Sequence, residues 1–190
     1  EEEFGSDVAL LVDGVTKVEN IAFSSKKHKQ AENFTKLFLS LARDLRVIII
    51  KFADRLNNME TIQYLSSKKR KEIALETKEI FVPLAHRLGM AQLKWKLEDL
   101  SLKCLDLRAF NGIKKKIETS SRLNEDILSN TIKPIKSELN TYKIKSNIFG
   151  RYKSISSIHR KIEKSGKKFE EIYDLYAIRI VVDKIEECYL

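Results

Sequence analysis

The stretch KIKSNIFGRYKSISSIHRKIEKSGKKFEEIYDLYAIRIVV, residues 143–182, decides the fold. Lys143-Ile144-Lys145 alternates like a short strand, and Asn147-Ile148-Phe149-Gly150 follows it. Residues 151–164 then carry the helical period, with Ile155, Ile158 and Ile162 recurring at three and four, and Gly166 stands ready to close that helix. Leu175, Ala177-Ile178 and Ile180-Val181-Val182 form a β-rich run bounded by acids, the best strand in the chain. The segment therefore reads as the opening of an α/β part.

What precedes it reads as helix. Residues 110–141 mix apolar and charged side chains at helical spacing, with Pro134 marking an expected break. Leu93, Leu97, Leu100 and Cys104 share the inner face of a helix over 91–105. Another helix covers roughly 69–88 over Ile73, Thr77, Ile80, Leu84 and Leu88. Pro83 should kink or divide it, and Gly89 can cap it. From Glu32 to about Met59 the pattern is again helical, with a break near Asp44. Phe34, Leu37, Phe38 and Leu41 form one inward set; Leu45, Ile48, Ile49, Phe52 and Leu56 form the next. The β-branched run 47–50 suits a strand by propensity, but the flanking apolar positions keep the helical period. Residues 24–30 read as a loop or a frayed helix start, and residues 6–12 as the end of a short helix before an Asp13-Gly14 turn. The fold class is thus mainly α, leading into α/β. The expected divisions are residues 1–107, a helical connection over 108–141, and residues 142–190.

Composition agrees. Only 6 glycines and 2 prolines occur in 190 residues, which suits long helices, and 43% apolar residues suffice for a core. Two distant cysteines, Cys104 and Cys188, give no CxxC and fit a reducing, cytoplasmic setting. No apolar stretch is long enough to span a bilayer, so no membrane role is expected. The first residue is a glutamate and the sequence stops abruptly at Leu190, so both ends read as cut. The net charge is +9, and residues 143–168 hold nine basic side chains against the single acid Glu163. Such a field attracts anions, although a solvated lysine-rich surface would look the same.

Two constellations could carry chemistry. Asp54 and Asn58 lie at i and i+4, on one helical face, with Arg55 beside them as a forked donor for phosphate. A carboxylate, an amide and an arginine can help hold a metal and a phosphate, but Asp54 needs ligands from elsewhere. None of His28, His86 and His159 forms an HxxxH or HD pair. A plain surface acid paired with Lys51 or Arg55 is the competing reading. The second constellation is Arg151, Lys153, Ser157, Arg160 and Lys161, with Asp174 just before the best strand. Lys153, Ser157 and Lys161 are four apart on a helix taken to begin near 151. That stripe suits a polyphosphate near the helix N-terminus, with Asp174 placed to hold Mg²⁺ against it. No GxxxxGK[ST] or GxGxxG is present, so a P-loop is excluded here. A solvated amphipathic helix and a nucleic-acid-binding patch are the alternatives.

Four stretches carry a further signal: FGSDVALLVDGVTK (4–17), IKFADRLNNM (50–59), FVPLAHRLGM with LEDL (81–90, 97–100), and GRYKSISSIHRK with YDLYAIRI (150–161, 173–180). Together they resemble the long RelA/SpoT-type (p)ppGpp synthetase/hydrolases, in that family's order and spacing. The resemblance implies an incomplete helical hydrolase domain of the HD type, followed by the start of an α/β nucleotidyltransferase-like synthetase domain. It implies that Asp54 is the later aspartate of a Mn²⁺ site, and that Asn58 and Thr61, near Arg55, approach the guanosine nucleotide. The other Mn²⁺ ligands would precede Glu1. It further implies that Arg151 and Lys153 bind ATP, that Ser157 and Lys161 lie on the same basic helix, and that Asp174 is a Mg²⁺ ligand and catalytic. The catalytic glutamate and a guanine-stacking tyrosine would lie beyond Leu190. The expected reaction is transfer of the β,γ-pyrophosphate of ATP to the 3′-hydroxyl of GDP or GTP, with Mn²⁺-dependent removal of that group from (p)ppGpp by the other domain. The 190 residues alone would then perform neither reaction. Ribosome association of the full-length protein is also implied.

The sequence departs from the family pattern at several positions. Tyr152 stands where proline is usual, Ser154 for histidine, Ser156 and His159 for tyrosines, Asn57 for histidine and Glu60 for arginine. Tyr152 removes a fixed turn before the helix, and Glu60 adds a negative charge near expected phosphates. These changes motivate an alternative: a degenerate nucleotide- or RNA-binding regulatory module without turnover.

Overall fold

The computed structural model describes residues 1–16, 39 and 44–189, and the side chains of these except 120–128, 151 and 152. The expected loop at 24–30 and the inward set Phe34, Leu37, Phe38 and Leu41 lie outside the described residues. The chain divides into two compact units, Glu1–Ser66 and Ser67–Leu190.

In the first unit, α1 (Gly5–Val15) packs on α2 (Arg46–Glu60). Asp13-Gly14 is not a turn but lies within α1, with Gly14 buried, and Thr16 ends the helix by turning to extended backbone (ψ 134°). A side chain absent at Gly14 favours close helix packing there over a chain reversal. The β-branched run 47–50 is helical, as its period predicts. Its inner stripe is Val47, Ile48, Phe52 and Met59, whereas Leu45 and Ile49 are exposed. The helix begins only at Arg46, so Leu45 falls outside the regular turn, and Ile49 points away from the Ile48–Phe52 line.

The second unit opens with α3 (Ser67–Glu76), a π-helical turn over Thr77–Phe81 and α4 (Val82–Arg87). Pro83 divides the expected single helix: it sits at the start of α4, where its missing N–H is harmless, and the widened turn before it absorbs the break. Thr77, Leu84 and Ala85 are buried; Leu88 is exposed because the helix has already ended there. Gly89 closes it at φ +71°, its N–H bonded to His86 O at 3.1 Å and that of Met90 to Ala85 O at 2.9 Å. This paired pattern needs a left-handed residue, which glycine supplies without steric cost.

Helix α5 (Ala91–Leu105) packs on α3, α4 and the π turn. Helix α6 (Leu107–Thr141) is a single 35-residue helix starting from an Asp106 cap whose carboxylate accepts from Ala109 N. Pro134 does not break it. Asn130 and Pro134 are both exposed, so water can meet the carbonyl that proline leaves without a donor. Lys143 then adopts φ +57°, and Ile144 N bonds Leu139 O at 2.9 Å while Ile144 itself is buried. Residues 143–145 are thus spent closing α6, and the first strand starts later than its alternation suggested.

Strand β1 (Ser146–Tyr152) pairs antiparallel with β2 (Tyr176–Val182), from Ser146↔Val182 to Tyr152↔Tyr176. Helix α7 (Ile155–Ser165) lies between them in sequence. It begins at Ile155 and not near 151, because the chain through Lys153 still pairs with β2: Lys153 N donates to Leu175 O at 2.9 Å. Gly166, at φ +63°, ends the helix as expected. The face bearing Ile155, Ile158 and Ile162 packs with Ile113 of α6 and with Phe169 and Ile172, making the core beneath α7. The described chain is therefore mainly helical, with a small sheet appearing only after residue 145.

Candidate functional site

The hairpin register builds the centre of the site. Lys153 pairs with Leu175, which makes residue 174 its neighbour across the ladder. Ile172 is buried and Leu175 packs on the α7 core, so Asp174 is pinned from both sides while its own side chain stays half-exposed. Lys153 Nζ donates to Asp174 Oδ2 at 2.5 Å and Lys161 Nζ to Asp174 Oδ1 at 2.6 Å. The hydrogen bond from Lys153, then that from Lys161, holds the Asp174 carboxyl down at about 2. One carboxylate thus brings together two ammonium groups from different elements.

Lys153 precedes α7, so the expected four-apart stripe is completed by strand pairing and not by helical spacing. Ser157 and Lys161 are on α7 as predicted. With Arg160, Lys164 and Ser165 they line an open cavity of ≈ 290 Å³. Ser157 also shares a hydroxyl hydrogen bond with the N-cap Ser154, 2.7 Å between oxygens. Arg151 occupies β1 opposite Ala177, two positions before Lys153.

The first turn of α7 is already occupied. Asp99, on α5, accepts from Ser156 N at 2.7 Å and from Ile155 N at 3.3 Å. Ser154 accepts from Ser157 N. An anion on this helix must therefore be met by side chains, not by the N-terminal amides that the sequence suggested. Beside Asp99, Glu98 is 7% exposed and accepts from Arg160 Nη2 at 2.6 Å. The sequence reading left Glu98 and Asp99 without a role. The available signal was two adjacent acids between the inward Leu97 and Leu100.

In the first unit, Asn58 Nδ2 donates to Asp54 Oδ1 at 3.0 Å, and both residues are exposed. The i, i+4 pairing is therefore real. Arg55 does not share that face: it is half-buried, with Nε enclosed. Thr61 ends α2, and its hydroxyl donates to Asn57 O at 2.9 Å. No group of three metal-ligating His, Cys, Asp or Glu residues occurs among the described residues. Among them, too, no helix is long and apolar enough to cross a membrane. Cys104 and Cys188 are free thiols.

Comparison with known proteins places these elements. Residues 1–91 match the HD domain family, and residues 150–190 match the region found in RelA / SpoT proteins. A guanosine-3′,5′-bis(diphosphate) 3′-pyrophosphohydrolase of Spiroplasma citri is 42% identical over 190 residues, covering 100% of this chain and 25% of the relative. A protein of the same name from Haemophilus influenzae is 39% identical over 188 residues, 99% of this chain and 28% of its own length. A GTP pyrophosphokinase of Streptomyces antibioticus is 41% identical over 187 residues, 98% of this chain and 22% of the relative. The chain thus spans about a quarter of the length of the curated relatives it matches. The two family matches run in the order of the quoted motifs, the relatives align along nearly every residue, and the chain belongs to the RelA/SpoT family.

Proposed function

We propose that the second unit carries the ATP-side half of a pyrophosphoryl-transfer site, in a protein that makes and breaks (p)ppGpp. The observation that carries this reading is the Asp174 carboxylate held between Lys153 and Lys161. In the reaction, the 3′-hydroxyl oxygen of GDP or GTP attacks the β-phosphorus of ATP. The α–β anhydride bond breaks, AMP leaves, and a proton is released. Such a transfer needs cations on the transferring oxygens and a positioned nucleophile.

Lys153 and Lys161 supply two of those cations, and Arg151 and Ser157 lie close along the chain as further phosphate contacts. Phosphate oxygens compete with Asp174 for the same two ammonium groups. Asp174 would fit Mg²⁺ as a single ligand once phosphate oxygens draw off the two ammonium groups that now occupy both of its oxygens, since it is half-exposed and Mg²⁺ takes one or two carboxylates plus phosphates.

The first unit belongs in this reading to the 3′-pyrophosphate-removing half. Asp54 would give one oxygen to Mn²⁺, and Asn58 and Thr61 would lie towards the nucleotide. The described residues supply no complete Mn²⁺ set, so Asp54 fits only as one member of it. The half-buried Arg55 would have to turn outward to reach a phosphate. A cytoplasmic setting and ribosome association go with the same proposal.

The test uses a chain of the relatives' length that includes these residues. Incubated with ATP, GDP and Mg²⁺, it should form a 3′-pyrophosphorylated product, and Lys153→Ala should abolish synthesis. ATP binding without product would favour a regulatory module. No ATP binding would overturn the proposal.

A further inference from the structure

Three side chains on one face of α5 touch β2 and α7. Trp95 stacks beneath the Arg179 guanidinium of β2, 5.9 Å from ring centroid to carbon. Glu98 holds Arg160, on α7 beside Lys161. Asp99 binds the first two amides of α7, two and three residues after Lys153. Positions 95, 98 and 99 are spaced three and four apart, so a single helical face makes all three contacts.

We infer that this α5 face is the positioning element of the nucleotide site, with Asp99 and Glu98 fixing where α7 presents Lys161 against Asp174. The inference rests on the proposal that α7 binds nucleotide. Three facts argue against ordinary surface pairing. Glu98 is buried, and its Oε2 makes no hydrogen bond among the described residues. An acid is thus kept in an enclosed place where an apolar residue would cost less; its short partner is Arg160, and Lys94 Nζ lies 4.0 Å from the same oxygen. Asp99 sits at the positive end of the α7 dipole and satisfies amides that have no partner within the helix. Lys161 of α7 and Lys153, just past β1, meet on Asp174, so a small shift of the first turn of α7 moves Lys161 relative to both. Misplacement of about 1 Å can cost up to about 100-fold in a transfer reaction.

The test compares wild type with Asp99→Asn and Glu98→Gln, in the longer chain, by ATP titration, kcat and KM for ATP, melting and amide hydrogen exchange. Asp99→Asn should exchange the Ile155 and Ser156 amides faster and weaken ATP binding by roughly 10-fold, with kcat falling as well. The melting temperature should change little, which separates positioning from general destabilisation. Glu98→Gln keeps the shape of the buried side chain and should shift the same parameters in the same direction, so the question stays decidable if Asp99→Asn fails to fold. Unchanged ATP affinity and kcat in the folded variants would overturn the inference while leaving the nucleotide site intact. Failure of wild type to bind ATP would instead overturn the proposed function.

Discussion

Lys153 and Asp174 are 21 residues apart in the chain and 2.5 Å apart in space. The β1–β2 register produces this, since Lys153 opposes Leu175 and the aspartate is the next residue along. Lys161 reaches the other oxygen from a different element, two turns into α7. The centre of the site is therefore assembled by strand pairing and helix packing together.

The carboxylate should titrate far below a free aspartate. Its pKa is lowered from 3.8 to about 2, first by the Lys153 hydrogen bond and then by that of Lys161. A depressed carboxyl pKa adds stability that is present above about pH 4 and is lost as pH falls towards 2. Carbon-detected NMR titration of Asp174 should give that midpoint, and Lys161→Ala should raise it. A midpoint near 4 in the parent chain would show that the clamp is open in solution.

Removing Lys153 or Lys161 should weaken Mg-ATP binding by about 10-fold or more each, because charge-assisted contacts to phosphate are among the strongest polar interactions. The two losses should not add, since both ammonium groups serve one ligand. Calorimetric titration of the single and double variants checks this. An additive pair would point to two independent anion contacts.

Ile158→Ala should destabilise the second unit by about 2–5 kcal/mol, the usual cost of emptying a fully buried aliphatic site. Ile158 is 1% exposed and lies at the centre of the core with Ile113, Phe169 and Ile172. Urea unfolding followed by circular dichroism measures the change. A loss below about 1 kcal/mol would mean that α7 docks more loosely than this core implies.

Gly89→Ala should cost about 1 kcal/mol, because a Cβ is strained at φ +71°. Nothing lies within 4 Å of the added carbon, so the penalty is conformational and not steric crowding. Gly89→Asn should therefore cost less. Thermal melts of the two variants give the ordering, and equal melting temperatures would contradict it.

Much of this was legible from periodicity. The isoleucines of α7, Ile48 and Phe52 of α2, the division at Pro83 and the Gly89 and Gly166 stops all follow from local chemistry, whereas Val47 and Met59 replace Leu45 and Ile49 on the inner face of α2. The fit of Lys153, Lys161 and Asp174 was foreseen as a cluster, but for a partly different reason. Helical spacing predicts Lys153 on the α7 stripe, whereas the ladder holds it, through its backbone bond to Leu175. Lys143 misled in a similar way: alternation suggested a strand, but a helix end with a buried Ile144 claimed those residues. Asp99 was the largest omission. Its partners are backbone amides 56 and 57 positions away, and a backbone amide has no sequence signature.

The sheet has two strands, and each keeps one side of its backbone unpaired among the described residues. Phe149, Ile180 and Val181 are also exposed along it. A ribbon with bare rims and greasy side chains invites a third strand from any source, and a lone hairpin is marginal in water. Solutions of the 190-residue polypeptide should therefore self-associate as concentration rises, giving heavier species in sedimentation runs, whereas Val181→Lys should keep them dispersed.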